Sequence, residues 1–284
     1  MERIGVVGCG LMGSGIAEIA ARAGADVVVI ERDARSVELG RERIERSLTR
    51  AVSSGKLPED EANRARGNLT FAEDYEQLSD RELVVEAVAE DEATKIEVFK
   101  KLDALVTDPL AILATNTSSI PIIKLAMVTK RPEQVIGMHF FNPVPVLKLV
   151  EVISSLLTSA ETTARVHAYA SDALNKRVIT SKDRAGFVVN ALLIPYLLSA
   201  IRMLESGFAS AEDIDTGMVV GCAHPLGPLA LTDLIGLDTT LAVAESLYEE
   251  FKESHLAPPP LLSRMTQAGL LGRKSGQGFY AYKA

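Results

Sequence analysis

The sequence contains little cysteine: Cys9 and Cys222 are the two cysteines in 284 residues. They lie far apart and neither belongs to a CxxC pair, which excludes a disulfide framework and leaves a metal site without support. Isolated thiols are typical of a reducing compartment, so we expect a cytoplasmic protein. Cys9 lies inside a glycine-rich segment, where we expect it to act as a small filler.

An excess of positive charge and a long apolar run are also missing. The formal net charge is −8, with a pI of about 5.2. Such a chain is not a general polyanion binder, so we expect no nucleic-acid partner, and any phosphate site must be local. The longest apolar run, residues 191–201, contains Pro195 and has about half the length of a membrane span. We therefore expect a buried helix there, no membrane partner and no targeting segment before the first strand.

Apolar β-branched runs alternate with amphipathic stretches over the first 180 residues. We predict strands at residues 4–7, 27–30, 83–88, 111–115, 135–139, 147–153 and 178–180. The intervening helices are predicted at residues 13–23, 36–54, 92–105 and 159–175. Strands this apolar suit a parallel sheet that is covered on both faces, and the alternation indicates a doubly wound α/β domain.

A glycine-rich loop follows the first predicted strand and opens the first predicted helix. Its GxGxxG pattern is formed by Gly8, Cys9, Gly10, Leu11, Met12 and Gly13. The glycines permit a tight turn, close approach of a pyrophosphate and close packing of helix on strand, while the helix N-terminus favours the phosphates. In this context the pattern predicts a dinucleotide site.

Glu31, at the end of the second predicted strand, indicates which dinucleotide binds. An acidic side chain at this place accepts hydrogen bonds from the adenosine ribose and repels a 2′-phosphate, which favours NAD. Arg32 follows Glu31 and weakens the preference for NAD, because an arginine at this place can bind the 2′-phosphate of NADP.

The chain changes character at residues 183–186. Helical stretches follow at 187–206, 211–220, 228–233, 236–253 and 260–268, with no convincing strand until the last few residues. We predict a Rossmann-type doubly wound domain over residues 1–185, with a helical arm at about 36–66. An all-helical domain for substrate binding and dimerisation would cover residues 186–284.

His139 and Glu151 form a candidate acid/base pair. His139 ends one extended run, Glu151 lies in the next, and a turn containing Pro145 separates them. If the chain folds back there, the carboxylate fixes the tautomer of the imidazole and favours its protonated form. A dehydrogenase needs such a base to take the hydroxyl proton. The alternative is a structural histidine that is buried and hydrogen-bonded in the core, with Glu151 as a glutamate on the strand surface.

Two polar positions accompany this pair. Residues 115–119 (TNTSS) end the fourth predicted strand, at the edge where ligands bind in such sheets, although Ser118 or Ser119 could equally cap a helix. Asn190 lies early in an apolar helix, where a buried amide needs a partner, either a ligand or another helix.

Taken together, the motifs resemble those of the L-3-hydroxyacyl-CoA dehydrogenase family, in particular its short, stand-alone 3-hydroxybutyryl-CoA dehydrogenase type. The resemblance covers essentially the whole chain. It rests on VGCGLMGSGI at residues 7–16, VVEAV at 84–88, TNTSS at 115–119, GMHFFNP at 137–143, AGFVVN at 185–190, GPL at 227–229, GLD at 236–238 and GRKSGQGFY at 272–280.

The resemblance implies roles for individual residues. His139 would be the general acid/base with Glu151 as its partner, and Ser118 and Asn190 would hold the substrate. The positions that would contact the cofactor in addition to the loop are Glu90, Lys95, Ser118, Asn142 and Lys274. A homodimer through the helical domain is also implied.

The family binds coenzyme A through its helical arm, by a serine that matches Ser47 and a later lysine. This chain has Ser54 at the lysine position, and Lys56 is the nearby substitute. Residues 41–56 hold five basic residues against two acidic ones, a local net charge of +3. The alternative is a solvated charged helix face.

The resemblance implies NAD-dependent oxidation of an L-3-hydroxyacyl-CoA, such as 3-hydroxybutyryl-CoA, or the reverse reduction. One alternative is a dehydrogenase of the same fold that acts on a sugar acid such as L-gulonate. The other is a non-enzymatic structural protein on this fold, against which the complete set of catalytic residues counts.

Overall fold

A computed structural model describes residues 1–282; residues 283 and 284, the last two of the predicted helical domain, lie outside the described part. The chain forms two compact units, Met1–Asp183 and a second that begins at Arg184. This division lies two residues before the predicted boundary.

The first unit is built on one eight-stranded sheet. In chain order its strands are β1 (Arg3–Val7), β2 (Asp26–Ile30), β3 (Leu69–Ala72), β4 (Leu83–Glu86), β5 (Ile112–Thr115), β6 (Val135–Phe140), β7 (Leu149–Ser154) and β8 (Arg177–Lys182). Their order across the sheet is β3-β2-β1-β4-β5-β6-β7-β8. All neighbours are parallel except β6 and β7, which pair antiparallel. The predicted doubly wound sheet is confirmed, and its strand order reverses at β1, where such sheets bind ligands.

Six α-helices belong to this unit within the described residues: α1 (Leu11–Arg22), α2 (Ala34–Ser53), α3 (Glu59–Gly67), α4 (Glu92–Leu105), α5 (Ile122–Ala126) and α6 (Ala160–Ala168). A π-helical turn, Tyr169–Ala173, continues α6, and one-turn 3-10 helices lie at Tyr75–Leu78 and Pro132–Gln134. Asp33 caps α2 by accepting a hydrogen bond from the Ser36 amide at 2.7 Å. Helices α2 and α3 form the predicted arm.

The core of the first unit explains why its strands are so apolar. Val6, Val27 and Val29 are completely buried, and they pack in one cluster with Ile16 and Ala17 of α1. Burial of this kind is the main source of the unit's stability.

The edge strand β3 was not predicted. It has four residues, and none of them is fully buried. A short edge strand lacks the continuous apolar run by which the central strands can be recognised.

The second unit is helical, as predicted. Its α-helices are α7 (Val189–Glu205), α8 (Ala211–Thr216), α9 (Pro228–Ile235), α10 (Leu237–Phe251) and α11 (Pro260–Gln267). A π-helical turn, Gly217–Gly221, and 3-10 helices at Ser254–Leu256 and Arg273–Ser275 complete it. Between residues 184 and 282 the strand expected near the end is reduced to isolated bridges, Gly272 with Gln277 and Gln277 with Ala281. Within residues 1–282, no helix has both the length and the apolar character that spanning a membrane requires.

Candidate active site

The glycine loop at residues 8–13 joins β1 to α1, and its conformation requires glycine at two positions. Gly8 has a φ of +89°, in the region that favours glycine. A Cβ on Gly13 would lie 1.8 Å from the carbonyl oxygen of Gly8, so no side chain fits there. At Gly10 a Cβ would meet no atom of the described chain within 4 Å. The backbone conformation therefore requires glycine at position 8 and the packing requires it at position 13, whereas neither requires it at position 10.

Cys9 connects this loop to two charged side chains. Its amide donates a hydrogen bond to Oε1 of Glu31 at 2.6 Å, and its carbonyl accepts one from Nη1 of Arg43 at 3.1 Å. The thiol is completely buried, and burial, followed by the charge of Glu31, raises its pKa to about 12. The predicted filler role fits this environment, because a protonated, covered thiol is not a nucleophile.

A cavity of about 430 Å³ opens beside the loop, along the ends of β1, β2 and β4. Its wall includes Gly8, Gly10, Glu31, Arg32, Ser36, Leu39, Arg43, Tyr75 and Thr94. Burial, with the charges of Glu31 and Glu86, raises the pKa of Tyr75, so its phenol stays neutral. Three of the residues predicted to bind a dinucleotide, Gly8, Gly10 and Glu31, thus share one cavity at the edge where the fold binds ligands.

His139 and Glu151 lie side by side, as the sequence predicts. They are paired residues of the antiparallel strands β6 and β7, and Nδ1 of His139 lies 2.6 Å from Oε2 of Glu151. The histidine is 5% exposed and the glutamate is fully buried. A carboxylate only accepts, so we assign the proton of this bond to Nδ1.

Ser118 lies on the other side of the imidazole. Its Oγ is 3.3 Å from Nε2 of His139. The structure thus brings three predicted residues, Ser118, His139 and Glu151, into one hydrogen-bonded row at the carboxyl edge of the sheet.

Glu90 holds the loop that carries Ser118. Its Oε1 accepts hydrogen bonds from the Thr117 hydroxyl at 2.5 Å, the Ser118 amide at 2.7 Å, and the amide and hydroxyl of Ser119, both at 3.1 Å. Burial raises the pKa of Glu90, but the charge of Lys95 and these hydrogen bonds outweigh it, and the pKa is lowered overall.

Glu86 was missed as a site residue. It is fully buried at the end of β4, where it accepts hydrogen bonds from Lys95 Nζ at 2.6 Å, the Val88 amide at 2.7 Å and the Thr115 hydroxyl at 2.7 Å. Lys95 is 1% exposed and also lies 3.3 Å from Glu90. Lys95 thus forms ion pairs with both Glu86 and Glu90, and Glu90 holds the Ser118 loop by hydrogen bonds. A glutamate inside an apolar strand was the signal that could have revealed Glu86.

The alternative of a helix cap at Ser118 or Ser119 is wrong. Helix α5 begins at Ile122, and the carboxylate of Asp183 accepts hydrogen bonds from the amides of Ile122 and Ile123 at 2.9 and 2.8 Å. The two serines are bound to Glu90 instead. Asn116, the amide of the predicted polar segment 115–119, accepts a hydrogen bond from the Phe140 amide at 2.9 Å and so connects the end of β5 to β6.

Comparison with known proteins matches residues 3–184 to the 3-hydroxyacyl-CoA dehydrogenase NAD binding domain and residues 186–282 to the 3-hydroxyacyl-CoA dehydrogenase C-terminal domain. The chain belongs to the 3-hydroxyacyl-CoA dehydrogenase family. A 3-hydroxybutyryl-CoA dehydrogenase of Mycobacterium tuberculosis is 59% identical over 99% of both chains.

Solved structures of this family share the fold closely. The crystal structure of FadB2 from Mycobacterium tuberculosis has a TM-score of 0.98 at 59% identity and covers 100% of this chain and 99% of its own. A (S)-3-hydroxybutyryl-CoA dehydrogenase from Ralstonia eutropha has a TM-score of 0.95 at 44% identity, with 100% of both chains covered.

Other residues that the family resemblance implicates lie outside the hydrogen-bonded row. Asn142 is exposed in the turn after β6. In the second unit, Asn190 is half-buried in the first turn of α7, and Lys274 forms an ion pair with Asp238, with Nζ–Oδ distances of 2.5 and 2.6 Å. Their roles, like a cofactor contact of the buried Lys95, stay predictions.

The basic residues of the helical arm differ in their partners. Arg43 donates a hydrogen bond to the Cys9 carbonyl and lines the dinucleotide cavity. Arg41 lies over the ring of Phe71 at 4.5 Å, and Arg46 pairs with Glu42 at 3.3 Å. Arg50 and Lys56 are exposed, and neither has an ion-pair partner within residues 1–282.

Ser47 faces the neighbouring helix. Burial raises the pKa of Glu18 on α1, and a hydrogen bond from Ser47, together with Arg22, opposes that shift. The Ser47 hydroxyl therefore lies close to a carboxylate of its own unit.

Proposed function

We propose that this protein is an NAD-dependent L-3-hydroxyacyl-CoA dehydrogenase that interconverts a short-chain 3-hydroxyacyl-CoA, such as 3-hydroxybutyryl-CoA, and its 3-ketoacyl-CoA. The observation that carries the proposal is the row of Ser118, His139 and Glu151 on the same sheet edge as the dinucleotide loop. Membership of the family supports the substrate class.

The residues around the dinucleotide cavity fit NAD. Gly8 and Gly13 shape the turn, the N-terminus of α1 favours the pyrophosphate, and Glu31 lies where it can accept hydrogen bonds from the adenosine ribose. Bound NAD supplies the hydride acceptor for oxidation, and NADH the donor for reduction.

His139 is the proposed proton carrier. Its Nδ1–H is held by Glu151, so Nε2 presents its lone pair on the side of Ser118 and accepts the proton of the 3-hydroxyl during oxidation. In reduction the same atom returns the proton to the carbonyl oxygen. Glu151 stabilises the positive imidazolium, and we propose that the Ser118 hydroxyl donates to the substrate oxygen once the substrate replaces it as the partner of Nε2. Asn190 is proposed as a further substrate contact.

Coenzyme A would be held by the arm. The family resemblance implies contacts from Ser47 and Lys56. Arg50 and Lys56 are exposed cations of this segment that have no ion-pair partner within residues 1–282. Phosphate groups bind such cations by charge-assisted hydrogen bonds.

A homodimer through the second unit is part of the proposal. Leu192, Phe208 and Val220 are 75, 79 and 78% exposed, and large exposed apolar side chains are typical of interaction surfaces. Light scattering at micromolar concentration should give twice the chain mass; a monomer would contradict this part. A cytoplasmic location remains a prediction from the two unpaired cysteines.

The test is a substrate panel on the wild-type enzyme. We expect acetoacetyl-CoA with NADH to be turned over with a kcat/KM in the ordinary range of about 10⁴–10⁸ M⁻¹s⁻¹, and L-gulonate with NAD to be a far poorer substrate. Preference for L-gulonate would favour the sugar-acid alternative. Absence of turnover with every hydroxyacyl and ketoacyl substrate would contradict enzymatic function.

A further inference from the structure

The turn of residues 141–148 connects the two strands that carry the acid/base pair. It joins β6, which holds His139, to β7, which holds Glu151. Asn142, for which the family resemblance implies a contact with the cofactor, lies in the same turn. The position of this turn therefore affects both the imidazole and a proposed cofactor contact.

A lysine outside the turn binds two of its carbonyl groups. Lys176, the residue before β8, donates from Nζ to the carbonyl oxygen of Val144 at 2.5 Å and to that of Leu147 at 2.7 Å. An ammonium group has three N–H donors, so the turn takes two of them. The amide of Arg177 donates in addition to the Lys148 carbonyl at 2.7 Å. The turn is thus held to the start of β8 by two consecutive residues.

This lysine is a buried cation that the proposed mechanism does not use. Lys176 is 9% exposed, and lysine is rarely buried in proteins unless it has a partner. Burial, followed by the charge of Arg22, lowers its pKa, and the charge of Glu18 opposes that shift. Burying a charge costs free energy unless hydrogen bonds offset it, and the two carbonyl groups of the turn supply such bonds.

The same turn also packs against the dinucleotide helix α1. Val144 is 2% exposed, and a Cβ on Gly15 of α1 would lie 2.7 Å from the Cβ of Val144. Val144 is therefore held twice, by its side chain against α1 and by its carbonyl group at Lys176. Because α1 begins at the dinucleotide loop, the turn links the cofactor side of the site to the strands of the acid/base pair.

We propose that Lys176 is a positioning residue: its ammonium group holds the turn of residues 141–148 and thereby keeps His139 and Asn142 in the geometry that proton and hydride transfer require. The inference rests on the proposed dehydrogenase function and adds a residue that acts through the turn. A misplacement of reacting groups by about 1 Å can lower a rate about 10²-fold, so a shift of the turn should slow the reaction itself.

Three variants separate this role from a general effect of charge. Lys176→Met removes the N–H donors and keeps most of the side-chain volume. Lys182→Met is the matched control, because Lys182 ends β8, is exposed and undergoes the same change in charge. Lys176→Arg keeps a cation with N–H donors for the two carbonyl groups.

The first measurement is a single turnover, in which the equimolar complex of enzyme and NADH is mixed with saturating acetoacetyl-CoA. Its amplitude counts the functional sites, whereas its first-order rate constant reports how fast each of them reacts. We expect Lys176→Met to lower the rate constant at least about tenfold and to keep the amplitude. Lys182→Met should stay within about twofold of wild type, as for an ordinary surface substitution. Lys176→Arg should lie closer to wild type than to Lys176→Met.

The second measurement is amide hydrogen exchange of residues 141–148 in the free enzyme. Exchange there should be faster in Lys176→Met by about tenfold and unchanged in Lys182→Met, because the turn opens more readily without its donors. Because exchange is read without acyl-CoA, absence of turnover in the wild type would contradict the proposed function and leave this test of the turn intact.

Three results would overturn the proposal. They are unchanged exchange in the turn of Lys176→Met, a fall in amplitude at an unchanged rate constant, and a rate constant as low in Lys176→Arg as in Lys176→Met. The second of these is what a purely structural role predicts. If Lys176→Met fails to fold, Lys176→Gln takes its place under the same expectations.

Discussion

The dinucleotide loop and the centre around His139 lie on one edge of the same sheet, but they are built differently. In the loop the decisive groups belong to the backbone: a positive φ at Gly8 and a contact that leaves no room for a Cβ on Gly13. In the centre they are side chains, and a row of hydrogen bonds from Glu151 through His139 to Ser118 positions them. Substitutions should therefore damage the loop through folding and the centre through chemistry.

The sharpest test of this difference is Gly13→Ala. Its Cβ would meet the Gly8 carbonyl, so backbone must move, and we expect a loss of at least about 3 kcal/mol in the free energy of unfolding. For a unit of this size that lowers Tm by roughly 6–12 °C. Thermal unfolding followed by circular dichroism would measure it.

Gly10→Ala is the matched control for that substitution. Its Cβ has open space, so Tm should fall by no more than about 4 °C, as for a changed helix cap. The KM for NADH should nevertheless rise about tenfold or more, equal to about 1.4 kcal/mol of lost binding, because the methyl group stands where the pyrophosphate approaches. Equal effects of the two variants on Tm would refute the distinction.

Glu151→Gln probes the side-chain centre. The amide oxygen can still accept the hydrogen bond from Nδ1, but it cannot stabilise the imidazolium, so kcat should fall on the order of 10²-fold. The KM for NADH should stay near its wild-type value. Glu161→Gln, an exposed glutamate on α6, serves as control, and a comparable loss in that variant would remove the special role of Glu151.

Glu90→Gln should have the smallest effect. Glutamine keeps an accepting oxygen for the Ser118 loop but loses the charge beside Lys95, so we expect kcat to fall only a few-fold, about the scale of one weakened hydrogen bond. The folded state lowers the pKa of Glu90, so its carboxylate stabilises the fold above its ordinary pKa of 4.5 and loses that contribution as the pH falls through the lowered value.

Measuring Tm against pH tests this sign. The difference between wild type and Glu90→Gln should be present at neutral pH and shrink in acid below about pH 4.5. Glu97→Gln, on the exposed side of α4 and paired with Lys100, should show no such change with pH. A difference that grows in acid would contradict the assignment.

Local sequence was sufficient for the parts that depend on neighbouring residues. The GxGxxG pattern predicts the loop because turn, helix start and strand end are contiguous. The facing of His139 and Glu151 was predictable because Pro145 lies midway between them, so a chain that folds back there brings the two residues together.

The remaining features depend on packing between distant segments. Asp183 caps α5 from about 60 residues away, and Glu86 meets Lys95 only because α4 packs against the end of β4. The sequence did not distinguish Arg43 from the other basic residues of the arm, because it does not show which side of α2 faces Cys9. Residue types alone do not encode these contacts.

The central claim is that His139 carries the proton in a hydroxyacyl-CoA dehydrogenase, and His139→Gln with acetoacetyl-CoA and NADH tests it most directly. We predict a loss in kcat on the order of 10²–10⁴-fold, with the dissociation constant of NADH unchanged. Turnover close to that of the wild type in a folded His139→Gln variant would contradict the account.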